Sequence, residues 1–330
     1  MHTKNIMHPL TEKPPRRNLY CVLGARSLAY AEKAFESLAA RSLDDFDLTL
    51  ITDALTDKTL LVEAMHQLQL ASRHTWRVCA QAEADERALT LLAPYPHLAA
   101  FRFGHPCWRK ITDPLLFAAP GEEMVILDPD LYFPNDFRFE ATPASGLLLM
   151  HQPPSCLLPH EVVLRAYANG IRLAHHVDIG VAQAHNKLDL EWLDWLIQRL
   201  GGSSLPRSMH VEAIIWAALA MRAGGGYLDP GHWHCWRNSQ WNRLQLRLGV
   251  SGRTILRAER FAVMKCFHGG GMAKWWIPEV VEAGEMPPPA QILASRVPLP
   301  FEELTRKSYE STQRLKTWVR RAGYYKLVKS

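Results

Sequence analysis

Short apolar runs alternate with stretches of helical periodicity through the first half of the chain, and this alternation narrows the fold more than any other feature. Leu19-Tyr20-Cys21-Val22-Leu23 reads as a buried strand that stops at Gly24. A helical pattern follows, with Ser27 as N-cap and apolar positions at Leu28, Ala31, Phe35 and Leu38. Residues 47–52 read as a second strand, again followed by a helical stretch, and residues 76–80 and 99–103 as a third and fourth. Met124-Val125-Ile126-Leu127 carries the strongest strand signal. Strands and helices in this order predict an α/β fold, a mainly parallel central sheet with helices on its faces. Further strands are expected at 146–150, 176–181 and 261–267, with helices near 188–200 and 209–222. Pro287-Pro288-Pro289 opens a linker, and from Phe301 the pattern is helical.

A chain of 330 residues with 48% hydrophobic and 22% charged residues has the composition of an ordinary globular protein. No apolar run approaches the ~20 residues that span a bilayer. Residues 1–18 are polar, contain Pro14-Pro15-Arg16-Arg17, and are expected to be extended or disordered, neither signal peptide nor anchor. The six cysteines are scattered without a C-x-x-C pair, which predicts reduced thiols and a cytoplasmic protein. Residues 301–330 hold eight Lys/Arg against three Glu, a net +5 that equals the charge of the whole chain. The rest is neutral overall, so no nucleic-acid partner is expected. The basic tail, with Leu304, Leu315, Trp318, Val319, Ala322 and Tyr325 at near-helical spacing, reads either as a helix docked on the domain or as a peripheral contact with the inner face of the membrane.

Open α/β sheets bind ligands at the carboxyl ends of their strands. The most apolar strand ends in Leu127-Asp128-Pro129-Asp130, two carboxylates one residue apart that are able to share a hard cation. A lone D-x-D is equally an ordinary polar turn, and both readings stand on that motif alone. A second motif, Phe267-His268-Gly269-Gly270-Gly271-Met272-Ala273-Lys274-Trp275-Trp276, supplies an imidazole, glycines that let backbone approach a diphosphate, and a lysine to neutralise it.

Together these motifs resemble the retaining glycosyltransferases of family 8, the group of glycogenin and the bacterial lipopolysaccharide galactosyl- and glucosyltransferases. That family ends its core with H-F-x-G-x-x-K-P-W. Here His268 is followed by glycine at three residues, lysine at six and tryptophan at eight, with Gly269 and Trp275 replacing the phenylalanine and proline. Leu127-Asp128-Pro129-Asp130 matches the family's L-D-x-D, Lys110-Ile111 its upstream basic-Leu pair, Ser37-Leu38 its early S-L and Thr52-Asp53 its T-D. The family's N-x-G appears as Asp178-Ile179-Gly180 and its D-Q as Glu212-Ala213.

The resemblance implies a GT-A-like fold, with a nucleotide-sugar half at about 19–135, an acceptor half at about 136–286, and a C-terminal extension at 287–330 made of the proline-rich linker and a basic amphipathic helix. It implies Mn2+ (or Mg2+) held by Asp128, Asp130 and His268. The nucleotide-diphosphate-sugar donor would meet Lys110, Asp53, Gly269, Gly271 and Lys274, and the acceptor would be a glycan, lipid-linked or other hydroxyl. Asp178, then Glu212, would be the carboxylate near the anomeric carbon. Two other classes are weighed: a non-catalytic nucleotide-sugar-binding protein on the same fold, and a metal-dependent phosphoryl or nucleotidyl transferase, for which neither a P-loop nor an acidic cluster is seen. His232-Trp233-His234-Cys235-Trp236 lacks the second ligand pair of a closed zinc site, and its tryptophans read equally as core or as sugar-stacking planes. The adjacent pair His175-His176 has no spacing that identifies a metal site.

Overall fold

Residues Met124 to Leu127 are apolar on both sides of the strand, which requires cover on both faces of the sheet. The computed structural model describes residues 16–68, 70–237 and 239–321 and places that strand centrally. The main sheet comprises β1 (Arg16–Leu23), β2 (Asp45–Thr52), β3 (Thr75–Cys79), β4 (Glu123–Leu127), β5 (Leu147–His151), β6 (Val177–His185), β7 (Gly225–Tyr227) and β8 (Leu299–Pro300). Their order is β8-β7-β5-β6-β4-β1-β2-β3. β4, β1, β2 and β3 run parallel; β6 is antiparallel to both β4 and β5, β7 is parallel to β5, and β8 is antiparallel to β7. The sheet is thus mixed but mostly parallel and flanked by helices, as the α/β expectation has it.

The two-residue period of a strand distributes the core. Tyr20, Val22, Met124 and Ile126 join one buried cluster, and Leu19, Cys21, Leu23, Val125 and Leu127 join the other, so each face of the sheet carries its own core. A third cluster, around Trp236, Phe261, Phe267 and Ile277, seats the helix Ala273–Glu282.

Several elements differ from the sequence expectation. Residues 99–103 are not a strand: the helix Pro96–Arg102 starts on a proline, whose missing N–H is no loss in a first turn, and buries Leu98 and Phe101 three residues apart. Residues 261–267 hold a short 3-10 turn, Phe261–Val263, and only then the strand Cys266–His268. Ser27 closes a 3-10 turn, and its hydroxyl accepts a hydrogen bond from Tyr30 Oη at 3.0 Å instead of capping the helix. β1 already includes Arg16–Asn18, which were expected to precede the domain.

The proline-rich segment is not a free linker. Ile292–Leu293 pairs with Asp136–Phe137, β8 extends the main sheet, and Leu304 and Tyr309 are buried. The helix Arg306–Arg321 is therefore docked through its first turn, where His160 Nδ1 lies 3.1 Å from Tyr309 Oη. Beyond that turn Leu315 and Trp318 are exposed. Ala322 and Tyr325 lie outside the described residues. Among the described residues no helix is long and apolar enough to cross a membrane.

Candidate metal and donor site

Three strand ends meet at one edge of the sheet. β4 ends at Leu127 and delivers Asp128 and Asp130. β6 starts at that edge with Asp178, and the Asp128 N–H donates to Gly180 O at 2.8 Å. A small three-stranded sheet brings the third part: Cys266–His268 pairs parallel with Trp233–Cys235 and antiparallel with Leu131–Tyr132, setting His268 opposite Leu131. Residues far apart in the chain are thereby fixed by backbone pairing and not by loops.

The side chains converge accordingly. His268 Nε2 lies 3.2 Å from Asp130 Oδ1 and 3.6 Å from Asp128 Oδ2. One ligand atom from each of Asp128, Asp130 and His268 falls within 4.8 Å of the other two. On the opposite side of the ring, His268 Nδ1 is 2.7 Å from Asp178 Oδ1, which also accepts from the Gly180 N–H at 2.9 Å. Gly180 is needed for this: a Cβ there would come within 2.6 Å of His268 Nδ1.

The electrostatics follow from burial against like charge. Burial alone would lower the His268 pKa, but Asp178 and Asp130 outweigh it and raise it well above the usual imidazole value. Burial and then the neighbouring Asp130 charge raise Asp128, although Lys110 opposes them. For Asp130 and Asp178 burial is overcome by His268, and both are lowered. A proton on the imidazole thus serves the carboxylates that a divalent cation would serve better. Two carboxylate oxygens and an imidazole nitrogen form a suitable donor set for Mn2+ or Mg2+. Loading the site would expel the imidazole proton on Nε2, while Asp178 keeps the one on Nδ1.

The other expected residues divide. Lys274, in the first turn of Ala273–Glu282, sets its ammonium 5.0 Å from the Tyr30 ring centroid and helps lower the Asp130 pKa from nearby. Asp53 follows β2 at the same sheet edge, where its Oδ1 would lie 2.3 Å from a Cβ at Gly24, so that glycine admits the carboxylate. Burial and the Asp57 charge raise the Asp53 pKa. Gly271 has φ +69, a left-handed turn suited to glycine, with open space beside it.

Four of the expected residues have partners within the protein. Gly269 does not turn its amide outward: it donates to Asp130 O at 2.8 Å and packs where a Cβ would meet Ile277 at 2.6 Å. Lys110 is buried with its ammonium 2.7 Å from Asp128 Oδ1 and 3.2 Å from Glu212 Oε2, so it serves protein carboxylates. Glu212 also accepts from Trp216 Nε1 at 3.3 Å, and burial, with Asp128 adding to it, pushes its pKa up to about 8. Asp178 is engaged by His268 as described above. Both carboxylates are thus held by protein partners.

Cys235, unassigned from sequence, lies behind the ring within hydrogen-bonding reach of Asp178 and His268. Its neighbour His234 faces the other way, 3.6 Å from Glu259. The strand alternation within His232–Trp236 was the available signal. Trp233 and Trp236 are core, while Trp241 is exposed.

No protein-family model and no curated protein matches the chain. Among solved structures it is similar to mouse xyloside xylosyltransferase 1 (12% identity, 79% of this chain and 99% of the other, TM-score 0.49). It is also similar to the galactosyltransferase LgtC in complex with donor and acceptor sugar analogs (12% identity, 82% and 96%, TM-score 0.45). A third likeness is core-mannan synthase A from Aspergillus fumigatus in its Mn/GDP form (9% identity, 67% and 74%, TM-score 0.41).

Proposed function

We propose that this chain is a glycosyltransferase that moves a sugar, with retention, from a nucleotide-diphosphate-sugar to a glycan, lipid-linked or other hydroxyl acceptor. The observation that carries the reading is the convergence of Asp128, Asp130 and His268 at the carboxyl edge of the sheet, with Lys274 beside them. Held by these three ligands, Mn2+ (or Mg2+) would supply charge that stabilises a departing diphosphate. Asp178 holds the His268 ring so that Nε2 faces Asp128 and Asp130. Lys110 balances Asp128 and Glu212 from behind, and Lys274 meets the remaining phosphate oxygens. With Asp178 hydrogen-bonded to His268 and Glu212 paired with Lys110, we read the transfer as attack from the leaving-group face without a glycosyl-enzyme intermediate.

Asp178→Asn tests that choice. The amide oxygen keeps a hydrogen bond to His268 but loses the charge, so Mn2+ affinity should fall roughly 10–100-fold. Turnover at saturating Mn2+ should stay within about one order of magnitude of wild type. A variant dead at every metal concentration would restore Asp178 as nucleophile.

Lys274→Ala tests the diphosphate contact. Charge grows on the phosphates as the glycosidic bond breaks, so kcat as well as donor affinity should drop, by roughly 2–4 kcal/mol in total. Calorimetry of donor binding with Mn2+ present, alongside rates, decides it: equal affinities and equal rates would remove the donor from this site. Lys274 is no ligand, and Mn2+ affinity should be unchanged.

The exposed Leu315 and Trp318, flanked by Arg314, Lys316 and Arg321, support peripheral contact with an anionic membrane from the cytoplasmic side. Full-length protein should sediment with anionic vesicles at low salt and be released by salt; no sedimentation would leave only the docked role.

A further inference from the structure

Consecutive residues on an extended segment point to opposite faces. His175 and His176 nevertheless lay their rings together, centroids 3.5 Å apart and 23° from parallel. The cause is the backbone of His176, which at φ 54 is the one non-glycine residue with positive φ among those described. A left-handed conformation is strained in a residue with a Cβ, and such strain gathers at functional positions.

Around the pair the chain is tied down. His175 N–H donates to Glu302 O at 2.7 Å, Tyr227 Oη donates to His175 O, and Glu302 N–H donates to Tyr227 Oη at 3.3 Å. His151, at the end of β5, packs edge-on against His176 with centroids 5.2 Å apart. The Nδ1 atoms of His151 and His176 are buried without a protein hydrogen-bond partner.

We propose that His175, His176 and Glu302 form a second metal site, separate from the aspartate site, for a borderline ion of the Zn2+ class. One ligand atom from each lies within 4.8 Å of the other two. Tetrahedral coordination with bonds of ~2.1 Å needs separations near ~3.4 Å, so side-chain rotation that opens the ring stack closes the site. Two imidazoles and one carboxylate favour Zn2+ over the Mg2+ or Mn2+ suited to paired aspartates. Three protein ligands leave a fourth position open to water. The adjacent histidines gave no ligand spacing in the sequence because the third ligand comes from the segment after β8.

Zn2+ titration of chelator-treated protein by calorimetry tests the site. His268→Ala disables the aspartate site, and this variant should still bind one equivalent of Zn2+. Adding His175→Ala and His176→Ala should abolish that binding, and adding Glu302→Gln, at an exposed position, should weaken it at least tenfold. In otherwise wild-type protein the stoichiometry should fall from two to one on His175→Ala/His176→Ala, a comparison that leaves His268 untouched should its loss impair folding. A folded His268→Ala variant without Zn2+ binding, or a stoichiometry unchanged by the histidine substitutions, would overturn the proposal.

Discussion

Asp130→Ala is expected to lower turnover by roughly 10³-fold or more while leaving the fold intact, because a Lewis-acid cation contributes several kcal/mol to charge stabilisation and this substitution removes one of its three protein ligands. The backbone of the site should hold. The contact that ties the glycine loop to residue 130 uses its carbonyl, which accepts from Gly269 N–H and is retained by alanine. His268 also keeps its 2.7 Å contact with Asp178. One buried carboxylate fewer relieves repulsion with Asp128 but also removes the favourable pair with His268, so without metal the variant should melt somewhat earlier than wild type and still cooperatively. Rates with Mn2+ and a melting curve in EDTA provide the check. Near-normal turnover, or wild-type activity that survives EDTA, would sink the metal-dependent reading.

The sheet was legible where the apolar pattern was dense and short. Met124 to Leu127 could only be a doubly covered strand, and the alternation of strands and helices placed its carboxyl end at a ligand edge. Residues 99–103 misled because Ala99, Ala100 and Phe101 are apolar without declaring a period, and Pro96 as a helix start carried the better signal. The segment after Pro289 was misread for a related reason. Ile292-Leu293 is too short a run to declare a period, and Leu304 was counted with the helix, yet Leu293, Leu304 and Tyr309 each find a buried place on the finished domain.

For the site, residue types were legible and partners were not. Asp128, Asp130 and His268 carried their chemistry in local motifs, and the backbone pairing of Leu131 with His268 explains why they meet. Asp178 was legible as an important carboxylate but its contact with His268 was not, since that partner stands 90 residues away and only the sheet register brings them together. Gly180 held a clue: a glycine two residues after the aspartate leaves the space that the His268 ring fills. Lys110 was expected to face phosphate, and a sequence does not say that two carboxylates from other elements have already claimed it.

That claim makes Lys110→Met the largest expected change in stability. The ammonium is buried between Asp128 and Glu212, and its removal leaves two carboxylates without their shared counter-charge. Breaking a buried pair from one side typically costs about 3–5 kcal/mol. Glu212 limits the loss near neutral pH, because its pKa is already pushed up to about 8 and would rise further without the lysine, so it takes a proton. A carboxyl whose folded pKa lies above its unfolded value destabilises the fold progressively as pH climbs towards that folded pKa. The deficit of Lys110→Met relative to wild type should therefore widen as pH rises above about 8. Adding Glu212→Gln should recover a large share and flatten this dependence, since the amide oxygen still accepts from Trp216 Nε1 while the charge is gone. Denaturant unfolding of the three proteins at pH 7 and pH 9 in EDTA separates the terms. If Lys110→Met unfolds at the wild-type midpoint at both pH values, Lys110 does not neutralise the buried carboxylates, and its place beside the diphosphate would have to be reconsidered.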